Sequence, residues 1–102
     1  MIHVIAIITT KPGKRAEVLG HFRANMPAVH AEEGCIEYFP TIDTAAIGPV
    51  QTLFGDDTFV VLEKWTSASA LDAHIKAPHM AAYGAKVKEM IASRVIHVVE
   101  KA

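Results

Sequence analysis

The chain has 102 residues, 51% of them hydrophobic, with ten basic against eleven acidic side chains and a formal charge of −1. That is enough for one domain around a single core, and no run of lysines or arginines is present to track phosphates, which argues against nucleic acid as a partner. No apolar run approaches the ~20 residues of a membrane span, the N-terminus carries no basic leader, and Cys35 is the sole cysteine, so the expectation is a soluble, cytoplasmic protein without disulfides.

In chain order, Ile2 to Thr10 is dense in Ile and Val and predicts a strand buried on both faces or facing a second subunit. Lys11-Pro12-Gly13-Lys14 reads as a turn. From Arg15 to His30, Val18, Leu19, Phe22, Met26 and Val29 recur at three and four residues, the stripe of an amphipathic helix, with Pro27 expected to kink its last turns. Glu32-Glu33-Gly34 is expected to close that helix, Gly34 serving as a left-handed cap. Cys35 to Thr41 predicts a second strand with Ile36, Tyr38 and Pro40 on one face, and the proline places it at an edge or a bulge. Ile42 to Pro49 predicts an irregular loop, a lid or an interface arm by its length, followed by a short extra strand over Val50 to Phe54 and a turn at Gly55-Asp56-Asp57.

Phe59-Val60-Val61-Leu62-Glu63-Lys64-Trp65 is the most strand-like stretch and the one around which the rest is arranged. Alternation puts Phe59, Val61, Glu63 and Trp65 on one face, so a carboxylate and an indole lie side by side, and two histidines, His74 and His79, follow on the next helical segment. Ser69 with Asp72 resembles a capping box and predicts a helix start there. Pro78 breaks that helix after Ala77, and a second runs from about His79 to Ile91. Arg94 to Glu100 predicts the closing strand. The order β, α, β, (short β), β, α, β predicts an α+β fold of the ferredoxin-like type, an antiparallel sheet with helices on one face. Two helices cover one face only, so two sheets are expected to pack as a dimer.

The combination of Lys11-Pro12-Gly13-Lys14, Glu33-Gly34-Cys35 leading into Tyr38, Glu63-Lys64-Trp65, Ala70-Leu71-Asp72-Ala73-His74 and Ala77-Pro78-His79-Met80 resembles the antibiotic biosynthesis monooxygenase (ABM) family, closest to its quinol monooxygenases. The resemblance spans nearly the whole chain as a single domain over residues 1–102. It implies a dimeric α+β barrel with a cavity between each sheet and its helices. Some members of the family oxidise quinol-type substrates with dioxygen and need no metal, flavin or haem. On that footing the expected function is a cofactor-independent monooxygenase acting on a small quinol or phenol, with no cofactor and with dioxygen as co-substrate.

The residues suit such chemistry. A phenol that loses its proton is an electron-rich anion able to reduce dioxygen, and a histidine near neutral pKa can take that proton. His74 and His79 are the candidate bases; Trp65 and Tyr83 are candidate walls for an aromatic substrate, Tyr38 a candidate hydrogen-bond donor, and Glu63 a further candidate contact. Plainer readings stand beside these: Trp65 as a core anchor, Glu63 as a helix cap or ion-pair partner, and each histidine as a ring satisfying a backbone carbonyl. Haem degradation, which family members perform with an Asn, Trp and His set, fits poorly because the first strand has no asparagine. The alternatives are a non-catalytic dimeric binder of an aromatic metabolite, and an isomerase of a dicarbonyl sugar phosphate, for which Lys64, Lys76, Lys86 and Lys88 form no phosphate motif.

Overall fold

The computed structural model describes residues 1–102. Four strands and three helices follow in the order β1 (Ile2–Thr10), α1 (Arg15–His30), β2 (Cys35–Thr41), β3 (Thr58–Trp65), α2 (Ala68–Ile75), α3 (Pro78–Val87) and, after a 3-10 turn at Lys88–Met90, β4 (Ile91–Val99). The strands form one antiparallel sheet in the order β2-β3-β1-β4, with the helices on one face. This is the ferredoxin-like α+β arrangement expected from the element order.

Alternation along β1 separates the two sheet faces: Val4, Ala6, Ile8 and Thr10 are buried, while the residues between them are only partly so. Opposite them on β3 stand Glu63, Val61 and Phe59, so these residues share the helix-covered face. There they meet Val18, Leu19, Phe22 and Val29 of α1, Leu71 of α2 and Val87 of α3 in one core. Phe22 stacks on Tyr38 of β2 at 5.0 Å between ring centroids and meets Phe59 and Tyr83 edge-on at 5.9 and 6.0 Å. Aromatic pairs at these spacings add specific geometry to plain burial.

Several local expectations change. Val50 to Phe54 forms no strand; Asp43 instead accepts hydrogen bonds from the Phe54 and Gly55 amides at 3.0 and 2.9 Å, folding the segment back on itself. The predicted cap Ser69 gives way to Ser67, whose Oγ accepts from the Ala70 amide at 3.1 Å. The last helix ends at Val87, short of Ile91, and β4 begins at Ile91, three residues before Arg94. Helix α1 runs through Pro27 and caps at Ala31, so Gly34 is not its cap residue. Gly34 has φ +85° at the entry to β2, and a Cβ there would lie 2.6 Å from both Ala70 Cβ and Thr66 Oγ1.

The register of β2 also shifts between Cys35 and Glu37. Cys35 pairs with Trp65 and Tyr38 with Glu63, which leaves Ile36 as the extra residue of a bulge, exposed and off the face predicted to hold it with Tyr38. β2 is an edge strand, where Pro40 breaks no central ladder. No helix is long and apolar enough to cross a membrane.

Candidate active site

Between the inner face of the sheet and the helices lies a cavity of about 330 Å³ with mostly hydrophobic walls. Val4, Ala6 and Val61 of the sheet, Phe22 of α1 and Leu71 and Met80 from the α2–α3 pair supply apolar surface to it. Size and lining suit one flat, weakly polar molecule. Polar groups reach it from few places: Tyr38, Glu63, His74, Lys76, Tyr83 and Arg94.

Glu63 owes its position to β3, where it alternates onto the inner face two residues before Trp65. Trp65 is fully buried, and its indole N–H donates to Glu63 Oε1 at 3.0 Å. Burial raises the Glu63 pKa, and the nearby Glu32 adds to this, while the Trp65 hydrogen bond and the adjacent His74 pull it down. Directly across on β2, the Tyr38 hydroxyl is pushed far above its ordinary value by burial first and by Glu63 second. It therefore stays protonated, a hydrogen-bond donor at any physiological pH. Burial raises Tyr83 too, opposed by the charge of Arg94.

His74, its side chain 5% exposed, sits on the last turn of α2. Its Nδ1 lies 2.8 Å from Glu32 Oε2. A carboxylate oxygen only accepts, so Nδ1 carries the proton and, in the neutral ring, Nε2 keeps the lone pair. Trp65 packs against the ring at 4.7 Å between centroids and Tyr38 at 5.4 Å, which fixes its plane. His79, near the start of α3, brings Nε2 to 3.0 Å from the same Glu32 oxygen. The two contacts differ in kind. The His79 N–H does not point along the line to the oxygen, and both of its buried ring nitrogens lack a hydrogen-bond partner. His74–Glu32 is thus a hydrogen bond, and His79–Glu32 a close approach without one. No three His, Cys, Asp or Glu side chains are grouped so as to hold a metal ion.

Four of the six residues singled out from sequence, Tyr38, Glu63, His74 and Tyr83, line this one cavity. Trp65 stands outside the lining, supporting Glu63 and His74, and His79 stands outside it beyond Glu32. Sequence reasoning missed Glu32, which it took for part of a helix end. One signal was available: acidic side chains just past a helix C-terminus sit against the helix dipole, a placement that asks for a cationic or donor partner. Here that partner lies 42 residues further along the chain.

Against known proteins, the profile of the family described as "Antibiotic biosynthesis monooxygenase" matches residues 1–86. The chain belongs to the ABM family. Among its relatives, the Escherichia coli K12 protein named "Probable quinol monooxygenase YgiN" is 43% identical over 90 residues, 86% of either chain. YcnE of Bacillus subtilis strain 168, also named for monooxygenase activity, is 31% identical over 93 residues, 91% of this chain and 88% of that one. Solved structures share the ABM architecture at lower identity. A conserved protein of Methanosarcina mazei Go1 superposes with a TM-score of 0.83 at 24% identity over 99% of this chain and 92% of that one. PA3566 of Pseudomonas aeruginosa gives 0.81 at 22% over 99% and 93%. At such identities the likeness is one of fold; membership of the ABM family and the names of its closer members support a monooxygenase-type function.

Proposed function

We propose that this ABM protein is a cofactor-independent monooxygenase that oxidises a small quinol or phenol with dioxygen inside the cavity described above. The observation that carries the reading is a histidine on the wall of an apolar cavity, with its outward nitrogen held by a half-buried carboxylate: His74 with Glu32 at 2.8 Å. In this reading His74 Nε2 takes the proton of a substrate hydroxyl, and Glu32 stabilises the imidazolium that forms. The Tyr38 hydroxyl donates to the substrate oxygen as it becomes anionic, Glu63 and Tyr83 bind and orient the ring, and Trp65 holds Glu63 and His74 in place.

All four electrons that reduce dioxygen come from the substrate. The quinolate passes one electron to dioxygen, the radical pair closes a C–O bond to give a ring hydroperoxide, and loss of the ring proton expels the outer oxygen as water. Quinol and dioxygen are consumed, hydroxyquinone and water are formed, and no external reductant enters. His79, beside the same Glu32 oxygen, is the second candidate base. The same reading has the domain, residues 1–102, act as a homodimer in the cytoplasm, a setting with which a lone free cysteine agrees.

Oxygen uptake by metal-free, cofactor-free protein with reduced naphthoquinols and simple hydroquinones, each corrected for autoxidation, tests this. Uptake should scale with protein and fall by about a hundredfold or more in His74→Ala. Glu32→Gln should lower kcat by about ten- to a hundredfold with little change in KM, because it loosens the base without touching the substrate. A loss in His79→Ala equal to that in His74→Ala would move the base to His79. No uptake above autoxidation would turn the assignment toward a non-catalytic binder of aromatic metabolites.

A further inference from the structure

Glu63 and Arg94 stand at separated ends of the cavity. In the sheet register, Glu63 and Val98 both oppose Val4, whereas Phe59 and Arg94 both oppose Ile8. Those rungs are four residues apart along β1, about 13 Å at the rise of an extended strand. Glu63 and Arg94 also lie on opposite sides of β1. One end therefore holds Glu63, Tyr38 and His74, and the other holds Arg94 on the exposed edge strand β4. Tyr83 stands between the two: Arg94 lowers its phenol against the effect of burial, Tyr83 in turn helps raise the Tyr38 hydroxyl, and its ring meets the same Phe22 on which Tyr38 stacks.

Arg94 takes part in no ion pair of the chain. The one other cation at the cavity, Lys76, is held by Asp72 at 2.8 Å and points its charge to solvent, 73% exposed. The apolar walls thus end in a guanidinium with no ion-pair partner in the chain. A guanidinium presents a planar fork of donors that matches a carboxylate, and the apolar wall at its side weakens competition from water.

We propose that Arg94 forms a subsite for an anionic substituent of the aromatic substrate, a carboxylate or sulfonate, at the end of the ring system opposite the hydroxyl that faces His74. The inference rests on the reading of the cavity as an aromatic site and narrows its substrate class to hydroxyarenes with an acid group across the ring from the reacting hydroxyl. It is a claim about recognition, with no chemical step of its own.

Calorimetric binding of redox-inert probes separates it from the oxygenase reading. The probes are 2-naphthol, which is neutral, 6-hydroxy-2-naphthoate, with the acid across the ring system from the hydroxyl, and 3-hydroxy-2-naphthoate, with the acid adjacent to it. The first acid should bind the wild-type chain about tenfold or more tightly than either other probe, the scale of one charge-assisted contact. Arg94→Gln should erase that advantage while leaving 2-naphthol affinity unchanged, and Arg94→Lys should retain part of it. Arg94 is exposed, and an unchanged circular dichroism spectrum verifies that the variant folds. Equal affinities for the three probes, an advantage that survives Arg94→Gln, or no binding of any probe would overturn the proposal. A preserved acid preference in a protein that consumes no oxygen with any quinol would leave the subsite standing and remove the oxygenase reading.

Discussion

At Glu63, burial holds the carboxyl above its ordinary value of 4.5, against the Trp65 N–H that it accepts and the His74 ring close by. Because the folded-state value exceeds the unfolded one, the protonated form is favoured by folding and the ionised form is penalised. The contribution is fully present below about pH 4.5 and is lost as pH rises through the folded-state value. Glu63→Gln keeps an accepting oxygen for Trp65 but cannot ionise. The variant should therefore gain on the wild type between pH 4 and pH 7.5, with any pH-independent cost of the substitution appearing equally at both. Urea unfolding of the two proteins at both values measures the change; a gap that stays constant with pH would mean that burial does not penalise the Glu63 charge. This residue was legible as a site candidate because strand alternation alone puts it beside Trp65. Glu32 was not, because nothing local to Glu32-Glu33-Gly34 says that a ring on α2 will be brought against it.

At the scale of elements, the turn from α1 into β2 decides whether Glu32 reaches His74. Gly34 makes that turn with φ +85°, and its carbonyl accepts the Thr66 amide at 2.9 Å, tying the start of β2 to the end of β3. A side chain at this position would be strained in its backbone and would collide with Ala70 and Thr66. Gly34→Ala should destabilise the fold by about 2–4 kcal/mol, the sum of a left-handed non-glycine residue and an overpacked contact, read as a lowered urea midpoint at unchanged slope. Destabilisation under about 0.5 kcal/mol would mean that the turn relaxes freely and does not hold Glu32 in place. The strands and helices themselves were legible from β-branched alternation in β1 and β3, the three-and-four stripe of α1 and Pro78 at the first position of α3. Val50 to Phe54 misled because a strand needs a partner edge as well as a propensity. Both edges of β3 are taken by β2 and β1, and Asp43 ties the segment back. Ser67 and Ser69 are equally able caps by composition. The chain leaves the sheet at Trp65, so the helix begins at the earlier serine.

For the whole molecule, the helices leave one face of the sheet bare. That face carries Ile5 and Ile7 of β1, Leu62 of β3, Phe39 of β2, and Val95 and Val99 of β4, all at least partly exposed in the single chain. A largely apolar sheet face of this kind, interrupted by His97 on β4, is costly in water and is the natural seat of a second sheet. The proposed homodimer would bury it face to face while leaving the helix-side cavity of each copy with its own Glu32, His74 and Arg94. Leu62 and Val95 lie on this face on β3 and β4, either side of β1, so lysines at both would place two charges in the contact and leave the core on the other side of the sheet untouched. Light scattering on the wild type should give twice the 11.1 kDa of one chain, and the Leu62→Lys, Val95→Lys double variant should give the mass of one. A wild-type mass of one chain at micromolar concentration would sink the dimer. A dimer undisturbed by both lysines would place the contact elsewhere. Since each cavity is built from one chain's residues, the monomeric variant should still bind naphthols with the wild-type preference, provided the sheet keeps its shape without its partner. Loss of binding on dissociation would instead show that the second copy shapes the site.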